Sequence, residues 1–180
     1  MDVQITQWIN ALAGQNPVSD TLMIWITQFG VPVIVALAAL LWWARVNRPH
    51  IRYGAICAGL SFLLGLGLNQ LVLLLIHRVR PYDTGVTHLL IAPSADWSFP
   101  SDHATAVAAV AIAFAMARLP RPALVFSFLA ALVCLSRIHV GTHYATDVLG
   151  GAFVGLVAAV LVRVFYRKDS RLNTFAVKIL

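Results

Sequence analysis

Two histidines, three arginines, a serine and an aspartate recur in this chain as phosphate-handling groups would. Arg78 and Arg80 precede Pro81, Ser101 and His103 lie in Pro100-Ser101-Asp102-His103, and Ser136-Arg137-x5-His143-x3-Asp147 follows. A guanidinium is a planar fork of donors that matches two phosphate oxygens at once. Ser101 is placed as a helix N-cap, where free N–H groups form an anion site. His103, one step inside that helix, can pass a proton to a leaving oxygen. His143 and Asp147 are four apart and share a helix face. A carboxylate holding one imidazole nitrogen fixes the tautomer and leaves the other nitrogen a better nucleophile. Arg137 is near enough in sequence to hold a phosphoryl group over it. Each piece alone has a plainer reading: arginines gripping headgroups, a capping serine, a His–Asp pair closing a helix start.

The elements that must carry these groups are membrane spans. The 180 residues are 60% hydrophobic and 11% charged, against about 25% charged in a soluble domain. A span needs about 20 apolar residues, and five stretches qualify: 22–46, 54–77, 102–119, 122–139 and 145–166. Residues 2–13 read as a short amphipathic helix in the interface plane, with Val3, Ile5, Trp8, Ile9 and Leu12 mostly on one side. The expected fold is all-α: a polytopic membrane helix bundle of about five transmembrane helices plus that interfacial N-terminal helix. It forms one membrane-embedded domain over 1–180, divided into an N-terminal segment 1–20, a bundle 22–166 and a tail 167–180. The first basic residue is Arg45, so we expect no cleavable leader with a positive n-region, the first span acting as its own insertion signal.

Ten of the thirteen Lys and Arg fall on one face: Arg45, Arg48, Arg52, Arg118, Arg121, Arg163, Arg167, Lys168, Arg171 and Lys178. The positive-inside rule makes that face cytoplasmic. The remaining three, Arg78, Arg80 and Arg137, belong to the motifs, and six of the seven Asp lie on the motif face. The first motif ends span two, the second opens span three, and the third joins spans four and five. All three therefore emerge together on the outer face, with the C-terminus inside. The net charge of +6 flanks apolar segments and forms no basic run with interleaved aromatics, which argues against nucleic acid. Cys57 and Cys134 fall near opposite faces and are expected as buried thiols.

In order and spacing the motifs resemble the type 2 phosphatidic acid phosphatase family, whose fold is shared with vanadium-dependent haloperoxidases. The family signature reads Lys-x6-Arg-Pro, Pro-Ser-Gly-His and Ser-Arg-x5-His-x3-Asp. This chain supplies Arg80-Pro81, Pro100-Ser101-x-His103 and the whole third motif, over about residues 73–147. The resemblance implies His143 as a nucleophile forming a phosphohistidine, Asp147 orienting it, and His103 protonating the leaving group and then activating water. It implies Arg80, Ser101 and Arg137 on the phosphoryl oxygens, and no metal or other cofactor. Two positions depart. Leu73 stands where the family has Lys, and Arg78 or His77 is expected to substitute. Asp102 replaces the Gly, and Pro-Ser-Asp-His is similar to the variant of bacterial undecaprenyl pyrophosphate phosphatases. The implied partner is thus a lipid pyrophosphate in the bacterial inner membrane, with lipid-carrier recycling for peptidoglycan and bacitracin tolerance as the setting. Phosphatidylglycerophosphate, phosphatidic acid or lipid A are the alternatives.

Several residues are read as structural. His139 is expected in a polar contact, Gly151, Gly155 and Ala159 in close helix packing, and Trp42, Trp43, Trp97 and Tyr166 in interfacial belts. Asp83, His88 and Asp96 fall in a loop and His50 on the far face. Two rival classes remain: a haem- or metal-binding protein using His77, His103, His139 and His143, and an inactive member that binds lipid phosphate. The sequence leaves the oligomeric state open.

Overall fold

A computed structural model describes residues 1–178. Seven α-helices follow in order: α1 Asp2–Asn10, α2 Pro17–Leu40, α3 Arg48–Leu75, α4 Asp102–Met116, α5 Pro120–His139, α6 Ala145–Phe165 and α7 Arg171–Ala176. Among the described residues, four stretches are long and apolar enough to cross a membrane: Pro17–Trp43, Arg48–Leu75, Pro120–His139 and Ala145–Phe165. They coincide with four of the five expected spans, though the second ends at Leu75 and the chain is extended at Ile76.

The remaining expected span, 102–119, holds the shorter apolar helix α4. Its helix has 15 residues, about 22 Å at 1.5 Å per residue, short of the roughly 30 Å hydrocarbon layer. Ala104 through Ala111, Ala113 and Phe114 are all buried, so α4 is the bundle's axis, packed against α3, α5 and α6. It runs from the motif end, beneath the 76–101 segment, to the opposite end of the bundle, where Arg118 is exposed in the turn to α5. Its alanines let the neighbours approach closely, and Gly151 and Gly155 of α6 complete the fit. A Cβ on Gly151 would run into the Ser101 carbonyl oxygen, and one on Gly155 would lie 2.7 Å from that of Thr105.

The spans sort their faces accordingly. On α3, Tyr53, Cys57, Ser61, Gly65, Asn69 and Leu73 are buried, one every four residues, the spacing of a single helix face. Leu63, Leu71, Leu74 and Leu75 stay exposed, as lipid-facing positions do in a membrane protein. The core joins Ile34, Tyr53, Val110, Phe114, Phe126 and Val133, with the Phe114 and Phe126 rings stacked at 4.8 Å.

Helix α1 turns a polar face inward. Thr6 and Asn10 are buried, while Val3, Ile5, Trp8 and Leu12 are exposed. The apolar side foreseen for an interfacial helix thus points away from the protein, and the residues opposite it reach the loops at one end of the bundle.

Candidate active site

The ends of α3 and α5 and the starts of α4 and α6 converge there on a cavity of about 90 Å³, with Arg80, Asp96, Asp102, His103, Arg137 and His143 in its wall. Larger clefts of about 440 and 240 Å³ lie along α2, beside α3 and α5, but their walls are apolar and belong to the lipid-facing surface. Convergent polar groups mark a site better than volume does. The small cavity has the scale of a phosphoryl group rather than of a lipid chain.

His143 lies in the loop between α5 and α6 and is 3% exposed. Its Nδ1 is 2.8 Å from the Ser98 carbonyl oxygen, which can only accept, so Nδ1 carries the proton. Nε2 is then the lone-pair nitrogen, 3.5 Å from the Arg80 guanidinium NH1 that faces it. Burial pushes the imidazole down to about 4, the charges of Arg137 and Arg80 act the same way, and Asp147 opposes them. The ring is neutral near pH 7, with its lone pair on Nε2.

The sequence expectation of a direct His143–Asp147 bond needs amending. The Asp147 carboxylate lies 3.7 Å from Nδ1, beyond hydrogen-bonding distance, because the Ser98 carbonyl oxygen comes nearer. Asp147 acts at one remove: its Oδ2 accepts from the Ser98 hydroxyl at 2.5 Å and from the Tyr144 backbone N–H at 2.9 Å. Ser98 therefore links carboxylate to imidazole through its hydroxyl on one side and its carbonyl on the other.

Arg78 is a second correction. It does not line the cavity. Its NH1 donates to Asp147 Oδ1 at 2.6 Å and to the Thr146 hydroxyl at 2.7 Å, and its NH2 donates to Asp2 Oδ2 at 2.6 Å. The guanidinium also lies 3.8 Å over the Tyr144 ring. A cation is needed there because Asp147 is a fully buried carboxylate and would otherwise be an uncompensated charge. His77 does not replace the missing lysine either, stacking instead on Trp97 at 4.9 Å. With α3 ended at Leu75, neither residue continues the face on which Leu73 lies.

The two arginines in the cavity wall differ in how far they are engaged. Arg80 donates from Nε to the Asp96 carbonyl at 3.0 Å, from NH1 to the Thr142 carbonyl at 2.9 Å, and from NH2 to Asp96 Oδ1 at 2.8 Å. Arg137, 6% exposed, donates from NH1 to Thr27 at 3.2 Å. Its Nε has no hydrogen-bond partner among the described residues. A buried guanidinium with unspent donors calls for an anion.

Ser101 and its neighbours shape the start of α4. The Ser101 hydroxyl caps the helix by accepting from the Ala104 N–H, and its own N–H donates to the Asp147 backbone carbonyl at 3.1 Å. It is fully buried between Pro100 and Asp102. Asn69 of α3 donates to the Pro100 carbonyl at 3.2 Å and to the Asp102 carboxylate, and accepts from Thr105 at 2.7 Å. His103, next in the chain after Asp102, is in the cavity wall. His139 makes the polar contact expected of it, 3.1 Å from Asp20 of α2.

Sequence reasoning missed Ser98, Asn69, Thr27, Asp2 and the engagement of Asp96 with Arg80. None lies in a motif. Ser98 alone had a signal, its place three residues before the capping Ser101. The four histidines of the haem reading are spent separately, on Trp97, the cavity wall and Asp20, and face no common centre.

A buried anion pocket with two histidines at one end of a short-looped helical bundle defines a membrane-embedded phosphoryl-transfer site. The PAP2 superfamily profile matches residues 54–171, two-thirds of the chain and every motif, and the chain belongs to that superfamily. Undecaprenyl-diphosphatase BcrC of Bacillus subtilis is 34% identical over 179 residues, covering 97% of this chain and 88% of its own. Phosphatidylglycerophosphatase B of the same organism is 31% identical over 176 residues, covering 87% and 80%. The crystal structure of a transmembrane PAP2-type phosphatidylglycerolphosphate phosphatase from Bacillus subtilis superposes with a TM-score of 0.68 at 26% identity, covering 94% of this chain and 86% of that one. The protein is a multi-pass membrane lipid phosphatase.

Proposed function

We propose that the chain hydrolyses undecaprenyl pyrophosphate to undecaprenyl phosphate and inorganic phosphate, on the outer face of the bacterial inner membrane. In the first step His143 Nε2 attacks the terminal phosphorus, and the P–O bond to the inner phosphate breaks. His103 gives its proton to that leaving oxygen. In the second step His103 takes a proton from water, the hydroxide displaces His143 from phosphorus, and phosphate leaves. Arg80 and Arg137 neutralise charge on the equatorial oxygens, most strongly in the transition state. The Ser101 side of the α4 N-terminus adds its dipole. No step calls for a metal ion.

One observation carries this reading above the rest: the lone-pair nitrogen of His143 faces Arg80, while Arg137 keeps an unspent donor in the same cavity wall. The substrate rests on the Pro-Ser-Asp-His variant and on the activity for which the 34%-identical relative is named. The outer face rests on the ten cations at the opposite end,. Lipid-carrier recycling for peptidoglycan, and with it bacitracin tolerance, follows if the substrate is right. Phosphatidylglycerophosphate is the second reading, favoured by the 31%-identical relative and the superposed crystal structure.

The test is phosphate release by detergent-purified protein from undecaprenyl pyrophosphate, phosphatidylglycerophosphate and phosphatidic acid in parallel, with EDTA present. EDTA-resistant release, fastest from the pyrophosphate and lost in His143→Ala, supports the reading. Faster release from another lipid moves the substrate, and loss with EDTA overturns the metal-free route. No release from any lipid leaves a binding protein.

A further inference from the structure

Helix α1 lies outside every motif, yet its inward side chains end on the machinery. The start of α6 has backbone N–H groups with no partner inside the helix, and α1 supplies partners from a distant part of the chain. Thr6 Oγ1 accepts from the Ala145 N–H at 2.9 Å, and Asp2 Oδ1 accepts from the Thr146 N–H at 3.0 Å. Asp2 Oδ2 takes the Thr146 hydroxyl at 2.7 Å and the Arg78 guanidinium at 2.6 Å. Asn10 clamps the other end, donating to the His88 and His139 carbonyls and accepting from the His88 N–H. Three consecutive turns of α1 are thus tied to the loops that carry His143.

We propose that Asp2 is a positioning residue for phosphoryl transfer: it fixes Arg78, which fixes the Asp147 carboxylate, which through Ser98 orients His143. The proposal rests on the reading of His143 as nucleophile. The geometry makes Asp2 more than a cap. Arg78 is a long side chain on a loop, 30% exposed, and its fork is divided between two carboxylates, one nitrogen to each. With Asp2 in place the guanidinium has one orientation, flat over Tyr144. Without the Asp2 charge, NH2 is released and Arg78 can swing. Asp147 then loses a fixed partner, and the Ser98 carbonyl no longer holds His143 at a single angle. Asp2 is not in the cavity wall, so its loss is expected to affect turnover rather than binding.

The experiment measures kcat and KM for undecaprenyl pyrophosphate with wild-type, Asp2→Asn, Asp2→Glu, Arg78→Gln, Asp2→Asn/Arg78→Gln and His143→Ala proteins. Thermal unfolding in detergent serves as the check on folding. Asp2→Asn keeps the size and, through its amide oxygen, the Thr146 N–H contact, and removes the charge together with the acceptor that takes Arg78 and the Thr146 hydroxyl. We expect kcat to fall about 10- to 100-fold, the range for residues one step behind a reacting group, with KM within about twofold. Asp2→Glu should recover most of that loss, and Asp2→Asn should cost little more once Arg78 is Gln. Unchanged kcat, a loss carried by KM, or full additivity with Arg78→Gln overturns the proposal. Should Asp2→Asn fail to fold, Asp2→Ser, which can still cap the Thr146 N–H but carries no charge, decides: a fall in kcat alone supports it, and wild-type kcat overturns it. His143→Ala separates the two layers. If it still turns over, the nucleophile reading fails; if it is silent while Asp2→Asn matches wild type, only the positioning role does.

Discussion

Both ends of the bundle bury an arginine about equally deeply, and the two arginines do different things. At the end away from the motifs Arg52 is 6% exposed. It donates to the carbonyls of Trp42 at 3.1 Å and Val177 at 2.8 Å and lies 4.7 Å over the Trp42 ring. Beside it Arg163 donates to the Tyr53 hydroxyl, which in turn donates to the Tyr166 carbonyl. Those bonds tie the ends of α2 and α3 to the C-terminal segment. At the motif end Arg137 is buried to the same 6%, yet it donates to Thr27 and leaves Nε without a partner among the described residues, in the wall of a polar cavity. Burial alone does not distinguish a structural arginine from a functional one. What distinguishes them is whether the donors are already used by the fold.

The contrast is broken most sharply by truncating each arginine. Arg137→Ala should lower kcat/KM for the lipid substrate about 10²- to 10³-fold, the usual cost of a preorganised charge-stabilising donor, with little change in melting temperature. Arg52→Ala should do the reverse, leaving helix-end carbonyls unpaired and lowering the melting temperature, with kcat unchanged once folded. Equal effects on activity would remove the distinction.

Ser98→Ala gives a finer cut. The hydroxyl that reaches Asp147 is lost, but the carbonyl that holds His143 Nδ1 is backbone and stays. We expect a fall in kcat of about tenfold, well below that of Arg137→Ala. A loss as deep as that of His143→Ala would mean that the hydroxyl, and not the carbonyl, fixes the ring.

The smallest effect is on pH. A buried imidazole lowered to about 4 is neutral at all pH values above that point, so its nucleophilic form is not lost on mild acidification. The acid limb of kcat/KM should be nearly flat from pH 7 to about 5 and reach half its value near 4. A midpoint close to the ordinary histidine value of about 6.5 would place His143 in contact with solvent or with a stronger charge partner.

The comparison also explains what was legible in the sequence. Four spans follow from hydropathy because a bilayer sets their length, and the shared face follows from chain order. His103, Arg80, Arg137 and His143 meet in one cavity wall as their motifs imply. The apolar run at α4 was legible too, though its shorter length and its burial among α3, α5 and α6 were not. Arg78 misled because two arginines two positions apart read alike, and only the path of the chain after Leu75 sends one to the cavity and the other behind Asp147. The contacts of Asp2, Thr27, Asn69 and Ser98 are long-range pairings without local periodicity.

The central claim is that His143 carries the phosphoryl group. It is tested most directly by acid-free quenching of the purified protein milliseconds after mixing with undecaprenyl pyrophosphate labelled in the terminal phosphate. The account predicts a protein-bound label that is stable to base and labile to acid, maps to the segment containing His143, and is absent in His143→Ala. A His103→Ala protein that still forms the label but releases it slowly would add the second step. Label-free protein during active turnover by the wild type, or label retained in His143→Ala, would contradict it.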